Sequence, residues 1–335
     1  MNCLRNIMTL SNKIKEMFFM LFKISVVIIA LHYILKKLTT NEHLSFSSFL
    51  KFLAKNDLFL LKTIIFLFIL SIFNWFIEIL KWQNLVKSIK KITIMQALKQ
   101  SLVALTFSIF TPNKIGDYAA KTVYFSASKK YHIIFLNFLN NMGQLFATCL
   151  FGIVGLTLYI VKYRINVSHQ NLYQILSIGI FIILLMLFSY KYFRPHLISK
   201  PLKKIVSLLN YVSATIQKKN IFLSLLRYLV FSFQFYVLLV LLNVNLSYFD
   251  AMIPITSMYL LSSIIPTIVL FDFAVKGSIA LYIFEIVGVN EITIISTVTL
   301  MWLLNVVVPT LIGSFFVLRF NFTHSVNLTK KVTVK

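Results

Sequence analysis

The sequence predicts an all-α, polytopic integral membrane protein of about six to eight transmembrane helices, with two opposed re-entrant or broken hairpins forming an inverted repeat. Three observations predict it. The 335 residues are 59% hydrophobic with a mean hydropathy of +0.86, more apolar surface than a soluble chain of this length hides. Several apolar runs reach about 18–25 residues, enough to cross about 30 Å of hydrocarbon at about 1.5 Å per residue. Two further apolar stretches are interrupted by Pro, Gly and paired charges. A β-barrel would show short alternating segments instead. One membrane domain covers residues 1–335, with 1–16 as a cytoplasmic N-terminus and 320–335 as a basic cytoplasmic tail.

The expected spans, in order, are 17–36, 58–80, 131–161, 172–190, 221–243 and 292–318. The first run begins near Met17 and is long enough to stay as a helix rather than be cleaved as a signal peptide. The stretches 94–111 and 251–287 are apolar but broken. Between spans, 195–216 carries Leu197, Ile198, Leu202, Ile205, Leu208, Leu209, Val212 and Ile216 at helical spacing, flanked by lysines. It reads as a helix on the membrane surface, or as a basic connecting loop with helical character.

Charge orients the set. The formal net charge is +24, from 33 Lys+Arg against nine acids. The basic residues fall mostly between spans, as in cytoplasmic loops facing anionic lipid, so nucleic acid is not the expected partner. Segment 81–99 holds five Lys and no acid, and 191–219 holds seven Lys+Arg and no acid. Both should be cytoplasmic. Segments 244–250 and 285–291 together hold three acids and no basic residue and should face outward, as should 37–57. With 114–130 also Lys-rich, the stretch 100–113 is then re-entrant or a pair of half-helices entering from the cytoplasm, and 251–287 enters from outside. Broken backbone at membrane depth is tolerated only where protein buries it or where it lines a polar cavity.

The two breaks echo one another. "DYAAK" at 117–121 matches "DFAVK" at 272–276, each following a Pro (Pro112, Pro266). Asp and Lys four apart share one helix face and can pair. Alone, each charge costs roughly 2.5–3.5 kcal/mol at a helix centre. Paired, they cost less and can open to receive a phosphate and an ammonium. The alternative is that the pairs only lock the hairpins in place. Thr111 and Pro112 suit a helix start, whose free N–H groups attract anions.

At these residues the chain resembles a known family. "LTFSIFTPNKIGDYAAKTVYF", followed by a helix with "NNMGQL" and "FGIVGL", is similar to the membrane domain of lysylphosphatidylglycerol synthases, and more closely to free-standing flippase-like proteins built from that domain alone. The first motif is matched by Thr111, Pro112, Lys114, Ile115, Gly116 and Asp117. The second keeps Pro266 and Gly277, lacks the family's Gly-Gly pair, and offers Asp272 and Lys276. The resemblance spans about residues 15–320. It implies a bacterial inner-membrane protein with a lipid-related role and two opposed re-entrant elements. No hydrophilic stretch exceeds about 30 residues, too few for a soluble transferase domain, so lysyl transfer is not expected.

No catalytic constellation is apparent. The six histidines, His32, His43, His132, His169, His196 and His324, lack ligand spacing, and Cys3 and Cys149 form no metal or CxxC pattern, so neither a cofactor nor a structural disulfide is expected. Glu78, ahead of Lys81 and Trp82, reads as an interfacial anchor. Asn140, Asn141 and Gln144, and on the last span Trp302 and Asn305, either line a headgroup path or bond neighbouring helices. The expected substrate-binding set is therefore Thr111, Pro112, Lys114, Gly116, Asp117, Lys121, Asn141, Gln144, Pro266, Asp272, Lys276, Trp302 and Asn305. The expected function is translocating or binding a phospholipid or lipid-linked headgroup. The alternatives are an accessory lipid-binding protein that recruits a partner enzyme, and an integral-membrane transferase. Membrane lipids are the expected partners, with a homodimer or a partner enzyme left open.

Overall fold

The computed structural model describes residues 60–109, 111, 114–165 and 211–319. The expected spans 17–36 and 172–190, the segments 1–16, 37–57 and 320–335, and Pro112 lie outside them. Every regular element among the described residues is helical. Nine α-helices follow in order: α1 (Leu61–Val86), α2 (Ile94–Ser108), α3 (Ile115–Thr122), α4 (Lys130–Lys162), α5 (Ala214–Leu241), α6 (Tyr248–Ile264), α7 (Asp272–Val287), α8 (Glu291–Trp302) and α9 (Val308–Leu318). A π turn at Leu303–Val307 joins α8 to α9, making one 28-residue rod. Four helical segments are long and apolar enough to cross a membrane: Leu61–Val86, Ala127–Lys162, Ala214–Leu241 and Glu291–Leu318.

Local chemistry sets the helix starts. Thr93 and Gln96 form a reciprocal capping box before α2, and Ser213, Ser247 and Asn290 cap α5, α6 and α8 by accepting from backbone N–H groups. Gly288, at φ +82°, closes α7 in the left-handed conformation that glycine adopts without strain. α5 begins at Ala214, so Ile216 belongs to this span and not to the surface helix expected over 195–216. Residues 195–210 of that segment lie outside the described residues.

Helix packing follows membrane rules, in which close approach and hydrogen bonds replace hydrophobic drive. α4 lies on α6 through Gly152 and Gly155, whose missing side chains make room for Leu260 and Thr256. α1 packs on α5, and α2 on both α3 and α9. Gly143 of α4 faces Asn220 and Ser224 of α5.

Both broken stretches are broken in the fold. The first is α2, a gap around 109–114, and α3. The second is α6, a gap over 265–271 that ends in a 3₁₀ turn at Val269–Phe271, and α7. The gaps meet: the Leu270 N–H donates to the Ile109 carbonyl at 3.2 Å. This long-range backbone bond satisfies groups that each break leaves free.

The π turn has an identifiable cause. Pro309 has no N–H, so the Asn305 carbonyl loses its helical donor. The Trp75 indole N–H takes that place at 3.0 Å, and the Ser71 hydroxyl donates to the Leu304 carbonyl at 2.7 Å. The Asn305 side chain accepts from Asn74 Nδ2 at 2.8 Å and donates to Gln234 Oε1 at 2.9 Å. α1, α5 and the π turn are thereby joined by a network of side-chain hydrogen bonds.

Candidate functional site

The meeting point of the two gaps opens into a cavity of about 520 Å³. Its walls come from α1, α2, α3, α4, α5, α6, α7 and the π turn. Of the expected site residues, Lys114, Asp117, Lys121, Asn141, Gln144, Pro266, Asp272, Lys276 and Asn305 line it. Trp302 instead lines a smaller adjoining pocket with Phe231, Phe235, Tyr259, Phe273, Asp272 and Lys276.

Thr111 and Gly116 do different work. The Thr111 hydroxyl accepts from the Gly116 N–H at 2.8 Å, so this N–H is already satisfied rather than left free for an anion. A Cβ on Gly116 would lie 2.1 Å from the Phe107 carbonyl oxygen, so glycine lets α3 fold back against the end of α2. These two residues shape the turn. Lys114 enters α3 at φ +57°, a left-handed conformation unusual for a residue with a side chain.

The two Asp–Lys pairs both form, in different surroundings. Lys121 Nζ lies 3.0 Å from Asp117 Oδ1, with side chains only 3% and 12% exposed. Asn137 bridges them, accepting from Lys121 at 2.7 Å and donating to Asp117 at 2.7 Å. The Lys121 ammonium also stands 4.4 Å from the Trp82 ring centre, whose indole N–H donates to Gln100. This pair is clamped. The Asp272–Lys276 pair is bonded too, but its side chains are 25% and 29% exposed and border both the cavity and the smaller pocket. Thr267 adds a 3.4 Å bond to the Asp272 carboxylate.

A third charge cluster was not part of the expected set. Glu78 lies in the body of α1, which runs on to Val86, and lines the cavity. Its carboxylate takes Lys81 at 3.3 Å, Arg227 at 3.1 Å and the Asn140 amide at 2.7 Å. Lys81 has no exposed side-chain surface and also donates to the Asn140 carbonyl. Arg227 Nη1 reaches Gln144 Oε1 at 3.4 Å, while its Nε is buried with no partner among the described residues. Asn141 donates to the Tyr118 hydroxyl at 3.2 Å. A sequence signal existed: Arg227 is a lone cation within an apolar span, and such a residue faces a cavity or a partner.

The cavity wall therefore carries five cations (Lys81, Lys114, Lys121, Arg227, Lys276) and three carboxylates (Glu78, Asp117, Asp272). Among the described residues, Lys114 is the one of these cations with no ion-pair partner. No His, Cys, Asp and Glu grouping suited to a metal ion occurs among the described residues.

Searches against family models, curated proteins and solved structures found no match to this chain.

Proposed function

We propose that the chain binds the charged headgroup of a phospholipid or lipid-linked molecule in this cavity and carries it across a bacterial inner membrane. The observation that carries the reading is a wide polar cavity, rich in cations, set among membrane-spanning helices where two broken segments meet. A phosphate leaving water needs donors that replace its hydration, and Lys and Arg supply them. The acyl chains, having no polar groups to satisfy, can stay in lipid beside the helices. The sequence echo and the contact between the gaps support two opposed re-entrant hairpins, and the loop-charge bias supports cytoplasmic termini within a fold of six to eight spans.

The more open Asp272–Lys276 pair is the element of this reading that exchanges its bond for one to the headgroup. The test is a headgroup-accessibility assay in proteoliposomes, using a lipid whose labelled headgroup is quenched from outside. Wild type should raise the quenchable fraction above that of protein-free vesicles. The double variant Asp272→Asn with Lys276→Met should fold and fail to do so. Full activity in that double variant would remove the second pair from the mechanism. No activity above protein-free vesicles for wild type, across phosphodiester, phosphomonoester and lipid-diphosphate substrates, would overturn the proposal.

A further inference from the structure

We infer that the cavity is built for a dianionic phosphoryl group, a phosphomonoester or diphosphate, in preference to the monoanionic phosphodiester of common phospholipids. The inference rests on the headgroup reading above and narrows its substrate class.

Charge matching carries it. Asp117 neutralises Lys121, and Asp272 neutralises Lys276. Glu78 is a single carboxylate shared by Lys81 and Arg227. Five cations facing three carboxylates leave two positive charges unmatched. They fall at identifiable atoms. Lys81 is enclosed and spends its ammonium on Glu78 and the Asn140 carbonyl. Arg227 keeps a buried Nε with no acceptor, and Lys114 is exposed on the cavity wall with no carboxylate within ion-pair distance among the described residues. A buried donor without an acceptor is costly to leave so, and a net excess of two positive charges around one cavity attracts two negative charges. A phosphodiester brings one. A phosphomonoester brings close to two near neutral pH, because its second ionisation lies near pH 6, and adds oxygens for the Arg fork and the Lys ammonium.

The experiment is a lipid competition read by native mass spectrometry of the full chain in nanodiscs of uncharged lipid. Phosphatidic acid, a phosphomonoester, competes with phosphatidylglycerol, a phosphodiester, at about pH 7.5 and about pH 5. The expected result is about tenfold enrichment of phosphatidic acid at the higher pH, falling toward parity at the lower, where the monoester takes up its second proton. Lys114→Met should reduce the enrichment at pH 7.5 to near parity. Methyl phosphate and dimethyl phosphate form the soluble arm. Displacement of lipid by methyl phosphate alone assigns the site to the phosphoryl group whatever bears it. Retained lipid preference without displacement assigns it to the lipid-borne group. Parity between the two lipids at pH 7.5, with either retained, overturns the dianion inference and leaves the headgroup reading standing. Enrichment unchanged at pH 5 also overturns it. Retention of neither lipid overturns both.

Discussion

The two Asp–Lys pairs share a sequence pattern and should respond oppositely to the same change. In Asp117→Asn, the amide oxygen can still accept from Lys121, but the new NH₂ meets the Asn137 NH₂ that now donates to Asp117. The Lys121 ammonium, 3% exposed, keeps Asn137 Oδ1 and the Trp82 face. Breaking a buried pair by removing one partner costs about 3–5 kcal/mol. With those two contacts remaining, the lower end applies, about 3 kcal/mol, roughly a 150-fold shift in the folding equilibrium. Asp272→Asn removes a carboxylate from a pair whose side chains are a quarter or more exposed. Screening there reduces the loss to about 1 kcal/mol or less. Reversible unfolding in mixed micelles measures both, and Asp117→Asn with Lys121→Met should regain most of the first loss. Equal losses for the two single variants would refute the distinction between a clamped pair and an open one.

Three further outcomes follow from named contacts. Gly155→Ala places a Cβ 1.8 Å from Thr256 Oγ1; it should lower stability by about 1–3 kcal/mol, and adding Thr256→Ala should recover part of that in the same unfolding assay. Asn305→Leu removes bonds to Asn74 and Gln234 and should cost about 1–2 kcal/mol, since a hydrogen bond between membrane helices averages about 0.6. Asp250, at the start of α6, is bonded to Lys162 of α4, and the Lys162 and Ser247 hydrogen bonds hold its carboxyl below the usual range. A lowered carboxyl contributes stability above its unfolded pKa and loses it as pH falls through the folded value, so the melting gap between wild type and Asp250→Asn should be present at pH 7 and close below about pH 4.

What the sequence disclosed depended on how each feature is encoded. The long spans at 131–161 and 292–318 stand within a residue or two of the observed helices, because apolar length and flanking charge are local signals. The two gaps were legible because Pro, Gly and charge interrupt apolar runs, and the Asp–Lys pairs because a spacing of four fixes a helix face. The cavity role of Glu78 was not legible because Lys81 and Trp82 beside it resemble an interfacial anchor, whereas α1 continues to Val86, with Lys81 and Trp82 buried and Glu78 partly exposed. Its partner Arg227 lies some 150 positions away, and no local pattern joins them. The π turn was hidden for the same reason. Pro309 marks the lost donor, but that the Trp75 indole replaces it is a fact of tertiary packing.

The claim that this cavity handles the headgroup is tested most directly by plugging it. Ser263 lines the cavity with an exposed side chain, and Lys90 is exposed in the α1–α2 connection, away from it. In a protein with Cys3 and Cys149 replaced by Ser, a single cysteine is introduced at Ser263 or at Lys90 and modified with a bulky maleimide before the headgroup-accessibility assay. Modification at position 263 should abolish the protein-dependent rise in quenchable lipid, and modification at position 90 should leave it intact. Undiminished lipid movement with the cavity plugged at position 263 would contradict the account.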